Sequence, residues 1–172
     1  VWTILGGAVA GSGHVEGPRS APGIRGTMGA RDFSYGSLKV EEITVDADVK
    51  ADPVSSSRIE ISLSGLTAGS YRVEEASLLA AGPVSSHGLS LIIRSPYANT
   101  NILLSGGIRE GTWTGEITRW EITSENSGNW SLAGTAPLRM GDLFQAGPAC
   151  LEGEDARVCM EGSGERDGRV RV

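Results

Sequence analysis

The stretch Arg58-Ile59-Glu60-Ile61-Ser62-Leu63-Ser64 alternates between apolar and polar residues. Side chains of an extended strand point to opposite faces in turn, so a period of two places Ile59, Ile61 and Leu63 together on one face. A helix would need apolar residues at spacings of three and four to form such a face. The stretch therefore predicts a β-strand with one apolar face and one face toward water.

The same alternation returns along most of the chain. It is present in residues 37–41, 43–50, 89–93, 101–105, 116–118, 120–123, 130–132 and 138–140. The phase slips by one residue at Glu41-Glu42 and again before Trp120, which predicts a bulge or bend at each point. Residues 73–81 contain helix formers, but they lack an N-cap and alternate acceptably, so a strand is favoured there over a helix.

Glycine and proline interrupt these segments at spacings typical of short antiparallel strands. We expect breaks at Asp52-Pro53, Gly65, Gly69, Gly82-Pro83, Ser95-Pro96, Gly106-Gly107, Gly111, 126–129 and Gly147-Pro148. The pattern predicts one all-β domain of many short antiparallel strands over residues 1–172. Residues 161–172 are mostly Gly, Arg, Glu and Asp, which predicts a solvated or frayed polar tail.

Composition limits the partners of this domain. Of 172 residues 25 are glycine, which favours turns and bulges over long helices, and only 5% are aromatic. The formal net charge of −6 argues against a nucleic-acid surface and weakly against docking on anionic headgroups, but it leaves contact with acyl chains open. No run approaches the ~20 apolar residues of a membrane-spanning helix. Because the chain opens directly on a strand-like segment, we expect an internal fragment of a longer protein, with any signal or anchor outside it.

Cys150 and Cys159 flank a polar, turn-forming segment, which is a hairpin pattern. Opposed positions on paired strands can bring two cysteines into bonding range, so we expect a disulfide and an oxidising compartment. The alternative is a pair of reduced thiols. His14 and His87 are isolated from the cysteines and from each other in sequence, which argues against a metal site.

The sequence contains no recognisable catalytic motif. Residues 11–17 are glycine-rich, but their spacing does not match a phosphate-binding loop and no helical segment follows. Ser56 and His87 have no nucleophile-elbow context, and His87 is better interpreted as a strand-end residue that bonds to backbone. We therefore expect no enzyme activity and no cofactor. Trp113 stands between Gly111 and Gly115, so its ring can fold across a glycine of the facing strand. The favoured interpretation is an ordinary core or edge anchor.

Four short motifs follow one another from Gly82 onward. They are Gly82-Pro83-Val84-Ser85-Ser86-His87-Gly88-Leu89-Ser90-Leu91; Leu104-Ser105-Gly106-Gly107 with Trp113-Thr114-Gly115-Glu116-Ile117; Gly128-Asn129-Trp130-Ser131-Leu132 with Ala136-Pro137-Leu138; and Cys150-Leu151 with Val158-Cys159-Met160. Their order resembles the C-terminal region of the TamB family, the large subunit of the translocation and assembly module, related to AsmA-like envelope proteins. The first 80 residues share only the general pattern of alternating strands and glycines and match no specific motif of the family.

The resemblance implies a protein anchored in the inner membrane of a Gram-negative bacterium and extended across the periplasm. It implies a sheet curled into a U-shaped trough with an apolar concave face; a closed β-sandwich is the alternative. Such proteins are tied to phospholipid movement toward the outer membrane. They also partner an outer-membrane barrel protein of the Omp85 type in the assembly of autotransporter-like proteins.

The leading hypothesis is a periplasm-spanning segment whose apolar groove carries phospholipid acyl chains and which supports outer-membrane protein assembly. The residues expected to line the groove are Ile59, Ile61, Leu63, Leu89, Leu91, Ile93, Ile102, Leu104, Ile117, Ile122 and Leu132. One alternative is a chaperone-like scaffold that binds unfolded outer-membrane strands by edge pairing. Another is a structural β-sandwich module. Open sheet edges also predict edge-to-edge association of copies.

Overall fold

The computed structural model describes residues 5–19, 21–165 and 170–171, which form β-strands joined by turns, without a helix. The strands are β1 Leu5–Glu16, β2 Gly23–Tyr35, β3 Leu38–Lys50, β4 Ser57–Ala68, β5 Tyr71–Gly82, β6 His87–Arg94, β7 Asn99–Arg109, β8 Thr112–Ser124, β9 Gly128–Leu132, β10 Ala136–Met140, β11 Leu143–Glu152, β12 Arg157–Glu165 and β13 Val170–Arg171. All of them belong to one sheet. The all-β antiparallel prediction is confirmed, and the alternative of two packed sheets is wrong.

Sheet order follows chain order from β1 to β8, so successive strands form antiparallel hairpins. The path then continues through β10, β11, β12 and β13, while β9 pairs with both β8 and β11. β9 and β10 therefore lie end to end and together fill one strand position between β8 and β11, separated by residues 133–135. Residues 73–81, for which a helix was the alternative, lie within β5.

The sheet is a single layer without a closed core. Its accessible surface is 11747 Å2, against roughly 8,000 Å2 expected of a compact protein of this mass. Among the described residues, the buried apolar side chains are Ala30, Val40, Trp113, Ala136, Ala149 and Leu151. Backbone pairing and contacts between side chains on adjacent strands therefore hold the fold together.

The first predicted phase slip coincides with an irregular line across the sheet. The paired ladder skips Asp32 and Glu41 between β2 and β3, and it skips Gly65 between β3 and β4. Asp32 and Gly65 have positive φ angles of 52° and 62°. Because a left-handed residue bends an extended strand, this line interrupts the regular pleat of the sheet at the predicted position.

The second predicted slip is a β-bulge in β8. Leu103 pairs with Arg119, whereas Leu104 pairs with Ile117, so Thr118 is the extra residue. The Thr118 hydroxyl donates a hydrogen bond to the Leu103 carbonyl at 3.2 Å. Both phase slips in the sequence therefore correspond to local departures from regular strand pairing.

Three expected breaks are wrong, because their glycines lie inside strands. Gly65 lies within β4, Gly106-Gly107 within β7, and Gly147-Pro148 within β11. The register of β11 shifts between Ala146 and Ala149, so Pro148, which lacks an N–H, falls at a bulge where no ladder bond needs it. Glycine in this chain marks irregular strand positions as well as turns.

The polar segment from residue 161 takes part in the sheet. Residues 161–165 lie in β12, and residues 170–171 form β13, which pairs with Ser163 and Gly164. Residues 166–169 and 172 lie outside the described residues. Backbone hydrogen bonds need no apolar side chains, which explains how so polar a segment joins the sheet.

Candidate functional site: the apolar face of the sheet

Strand register brings apolar side chains of five strands into rows. Residues that pair directly across antiparallel strands share a face, and so do residues two apart along a strand. The first row, across β4–β8, is Ile59, Ala80, Leu89, Leu104 and Ile117. The second row is Ile61, Leu78, Leu91, Ile102 and Trp120. The third row is Leu63, Ala76, Ile93, Thr100 and Ile122.

Leu132 joins the same surface through β9. Ile122 pairs with Trp130, and Leu132 lies two residues further along β9, where it pairs with Leu151 of β11. All eleven residues that the alternation singled out therefore lie on one face. We call the three rows together with Trp130, Leu132 and Leu151 the apolar face.

The alternation alone missed several members of this face. Leu78 lies between Ile61 and Leu91 in the second row, and Val45 of β3 pairs with Ile61 from the other side. Met28 of β2 pairs in turn with Val45. The alternating segments 43–50 and 73–81 contained the signal, but register decides which of their faces joins the others, and register is not readable from one strand.

The three rows contain no charged residue, and their side chains are half-buried. Thr100 is their hydroxyl-bearing member, and its Oγ1 donates to the Glu121 carbonyl at 2.9 Å. Toward the β1 edge the aliphatic side chains become more exposed: Val9 is 66% exposed and Met28 48%. The result is a broad aliphatic surface that the sheet itself leaves uncovered.

Trp113 lies at one end of this face, where it is buried as an anchor and also contacts a facing glycine. The indole lies so close to Gly106 of β7 that a Cβ there would approach Cζ2 at 2.5 Å; at Gly115 of β8 itself it would approach Cη2 at 2.6 Å. Trp113 Nε1 donates to His87 Nε2 at 2.8 Å. His87 Nδ1 lies 3.2 Å from the carbonyl oxygens of Pro83 and Val84. His87 is therefore a strand-end residue bonded to backbone, as predicted.

The opposite face is mixed: it includes the aliphatic residues Leu79, Ile92 and Leu103, and it carries ion pairs between neighbouring strands. Arg31 lies 3.1 Å from Glu42, and Arg94 lies 2.8 Å from Glu75. Between these pairs is a hollow of about 320 Å3, whose lining includes Thr44, Ser62, Ser64 and Ser77. A twisted sheet is saddle-shaped, so hollows can form on either face. That the apolar face is the concave one stays a prediction.

A second set of ion pairs lies at the ends of β1–β3, where Glu16 and Arg25 are exposed and Asp48 and Lys50 are half-buried. Lys50 Nζ lies 2.9 Å from Glu16 Oε1, and Arg25 bonds to Asp48. The hydrogen bond from Lys50 holds the pKa of Glu16 below its ordinary value. The hydrogen bond from Arg25 likewise holds the pKa of Asp48 low. These ion pairs join neighbouring strands in a part of the sheet where few apolar side chains are buried.

Cys150 and Cys159 pair directly across the β11–β12 hairpin and form a disulfide in the structure, with Cα atoms 4.0 Å apart. The adjacent Leu151 belongs to the apolar face, so the disulfide lies on the opposite face. Within the described residues there is no group of three or more His, Cys, Asp or Glu placed to hold a metal ion. The described part of the chain also contains no helix that could span a membrane.

An open antiparallel sheet with one uncharged aliphatic face defines a β-scaffold that presents an extended apolar surface. The family model described as TamB, N-terminal domain, matches residues 1–170. The chain therefore belongs to the TamB family, which places it in the cell envelope and in the translocation and assembly module. No curated protein and no solved structure matches the chain.

The match corrects the position that the motifs had suggested within the family. The chain corresponds to the N-terminal domain, not to the C-terminal region, and the match includes the first 80 residues. Strand–glycine–strand units recur along a sheet built from successive hairpins, so short motifs such as Trp113-Thr114-Gly115 identify the kind of unit without identifying its place.

Proposed function

We propose that the apolar face binds phospholipid acyl chains and that this segment forms part of a lipid path across the periplasm between the inner and outer membranes. The observation that carries the proposal is the register. It gathers the eleven residues predicted from alternation, with no charge among the three rows, onto one uncovered surface. Exposed apolar patches of this kind mark binding sites.

Acyl chains match such a surface energetically. Burial of apolar area contributes about 25 cal/mol per Å2 and is non-directional, so a chain can move along the rows without strong local traps. The bulges at Thr118 and in β11 bend the strands and favour a curled sheet that would wrap around lipid. The role is that of a conduit without catalysis. In the full-length protein, the outer-membrane partner is a barrel of the Omp85 type.

Native mass spectrometry of the purified chain, with lipids extracted and identified, tests the proposal. Leu91→Arg places a charge in the middle of the second row, between Leu78 and Ile102. Ile92→Arg is the matched control, because Ile92 is the next residue along β6, points to the opposite face and is 39% exposed. We expect phospholipid on the wild type and on Ile92→Arg and its loss from Leu91→Arg. Lipid-free wild-type protein, or equal loss from both variants when circular dichroism shows both folded, would refute the proposal.

A second candidate function is a scaffold for unfolded outer-membrane strands. It is favoured by the edge strand β1, which has twelve residues and contains no Lys, Arg or Pro to block further pairing. A proline at a β1 position whose N–H points away from β2 should abolish client binding while leaving lipid binding intact. The same variant should also reduce any edge-to-edge association of copies.

A further inference from the structure

The indole N–H groups of the described tryptophans differ in one respect. Trp113 Nε1 donates to His87 Nε2, and Trp130 Nε1 donates to the Ser127 carbonyl, each at 2.8 Å. Trp120 Nε1 is buried and has no hydrogen-bond partner among the described residues. Buried tryptophan N–H groups usually find an acceptor, so an orphaned one calls for an explanation.

The orphaned donor lies within the apolar face. Trp120 pairs with Ile102 of β7, and Ile122, two residues along β8, points to the same face. Both are aliphatic and offer no side-chain acceptor. The Trp120 side chain as a whole is only half-buried. It lies two residues from the bulge at Thr118, where the ladder is irregular. For a ligand on the face to reach the buried N–H, the ring would have to rotate and turn its N–H toward the open side.

We propose that Trp120 Nε1 donates a hydrogen bond to an acyl-ester carbonyl of a bound glycerolipid. An ester carbonyl is a strong acceptor attached directly to a hydrocarbon chain, so it can enter an aliphatic surface that would exclude a charged phosphate. The bond would set the depth at which the lipid's glycerol region sits on the face. This inference rests on the proposed function, because it names the chemical class of lipid that the same face takes.

The test compares two lipids that differ only at the acceptor. A short-chain diester phosphatidylcholine, dispersed below its micelle concentration, is titrated into the chain labelled with 15N at the indole nitrogens, and the diether analogue of equal chain length is titrated in parallel. We expect the diester to move the Trp120 Nε1–H resonance downfield and to bind about 3–10 times more tightly than the diether, which is the range of one neutral hydrogen bond. Trp120→Phe should remove this preference.

Glu121→Gln is the matched control, because Glu121 is the next residue along β8 after Trp120, points to the opposite face and is exposed, so this variant should keep the preference for the diester. Equal binding of both lipids to the wild type, without a selective shift at Trp120, would overturn the ester assignment and leave the acyl-chain proposal standing. Binding of neither lipid would overturn both.

Discussion

Trp113→Ala should lower the free energy of unfolding by about 3 kcal/mol, although Trp113 lies in a single-layer sheet. The side chain is only 7% exposed, and its indole covers Gly106 and Gly115, which have no side chains of their own. Burying a tryptophan removes roughly 150–250 Å2 from water. At about 25 cal/mol per Å2 this corresponds to about 4–6 kcal/mol, an upper limit because unfolded chains are already partly compact. Tryptophan-to-alanine changes in closed cores cost about 3–5 kcal/mol, and one open side favours the lower end.

Trp113→Phe separates the ring from its hydrogen bond. Phenylalanine keeps an aromatic cover over the glycines but cannot donate to His87 Nε2, so the expected loss is about 1–2 kcal/mol. The measurement is urea unfolding followed by far-ultraviolet circular dichroism, with the m-value showing whether the unfolding reaction is still the same. A loss below about 1 kcal/mol for Trp113→Ala at unchanged m-value would show that the indole does not stabilise the sheet through these contacts.

Gly65→Ala should destabilise the chain by about 1–2 kcal/mol, because Gly65 has a φ of 62°. Gly29→Ala is the control and should be neutral or stabilising, because its Cβ would meet only the Ile43 carbonyl, at 3.8 Å. Equal urea midpoints for the two variants would contradict this prediction. Reducing the disulfide between Cys150 and Cys159, nine residues apart, should cost about 2–3 kcal/mol, and thiol alkylation should label no cysteine before reduction and two after it. Because Glu16 and Asp48 have pKa values below their ordinary ones, their contribution to stability is present above the ordinary values of 4.5 and 3.8 and is lost as the pH falls through the lowered ones. Lys50→Gln should raise the pKa of Glu16 toward 4.5 in a carbon-13 titration, and no change would refute the assigned cause.

Much of the fold could be predicted from period-two alternation. The residues of one strand that share a face follow from covalent geometry, so Ile59, Ile61 and Leu63 had to lie together. The slips at Glu41-Glu42 and before Trp120 correctly predicted irregular pairing. The second slip marks an extra residue, Thr118, whereas at the first slip Asp32 and Glu41 are both skipped and the register is unchanged. The contact of Trp113 with glycine was predictable for a similar local reason.

Register and strand ends were less predictable. Gly106-Gly107 resembles a turn in sequence, yet it lies inside β7. The Trp113 indole occupies the space that a side chain at Gly106 would fill, and the Ser85 backbone occupies that space at Gly107. The absence of a partner for Trp120 Nε1 depends on the residues of β7 and β9 beside it, which alternation within β8 cannot reveal. Position within the family was also assigned wrongly, since similar hairpin units recur.

The strict neighbour-to-neighbour order of the strands has a consequence for how the chain reaches its folded state. From β1 to β8 each strand needs only the preceding hairpin to complete its pairing on that side, so contacts are local in sequence and folding can proceed in the order in which residues emerge from a translocation pore. β8 is the exception. Residues 113–117 have their second pairing partner in β10, which is synthesised only after β9 and the segment 133–135. A pause in export before residue 136 would leave that part of β8 as an exposed edge, open to pairing with another chain.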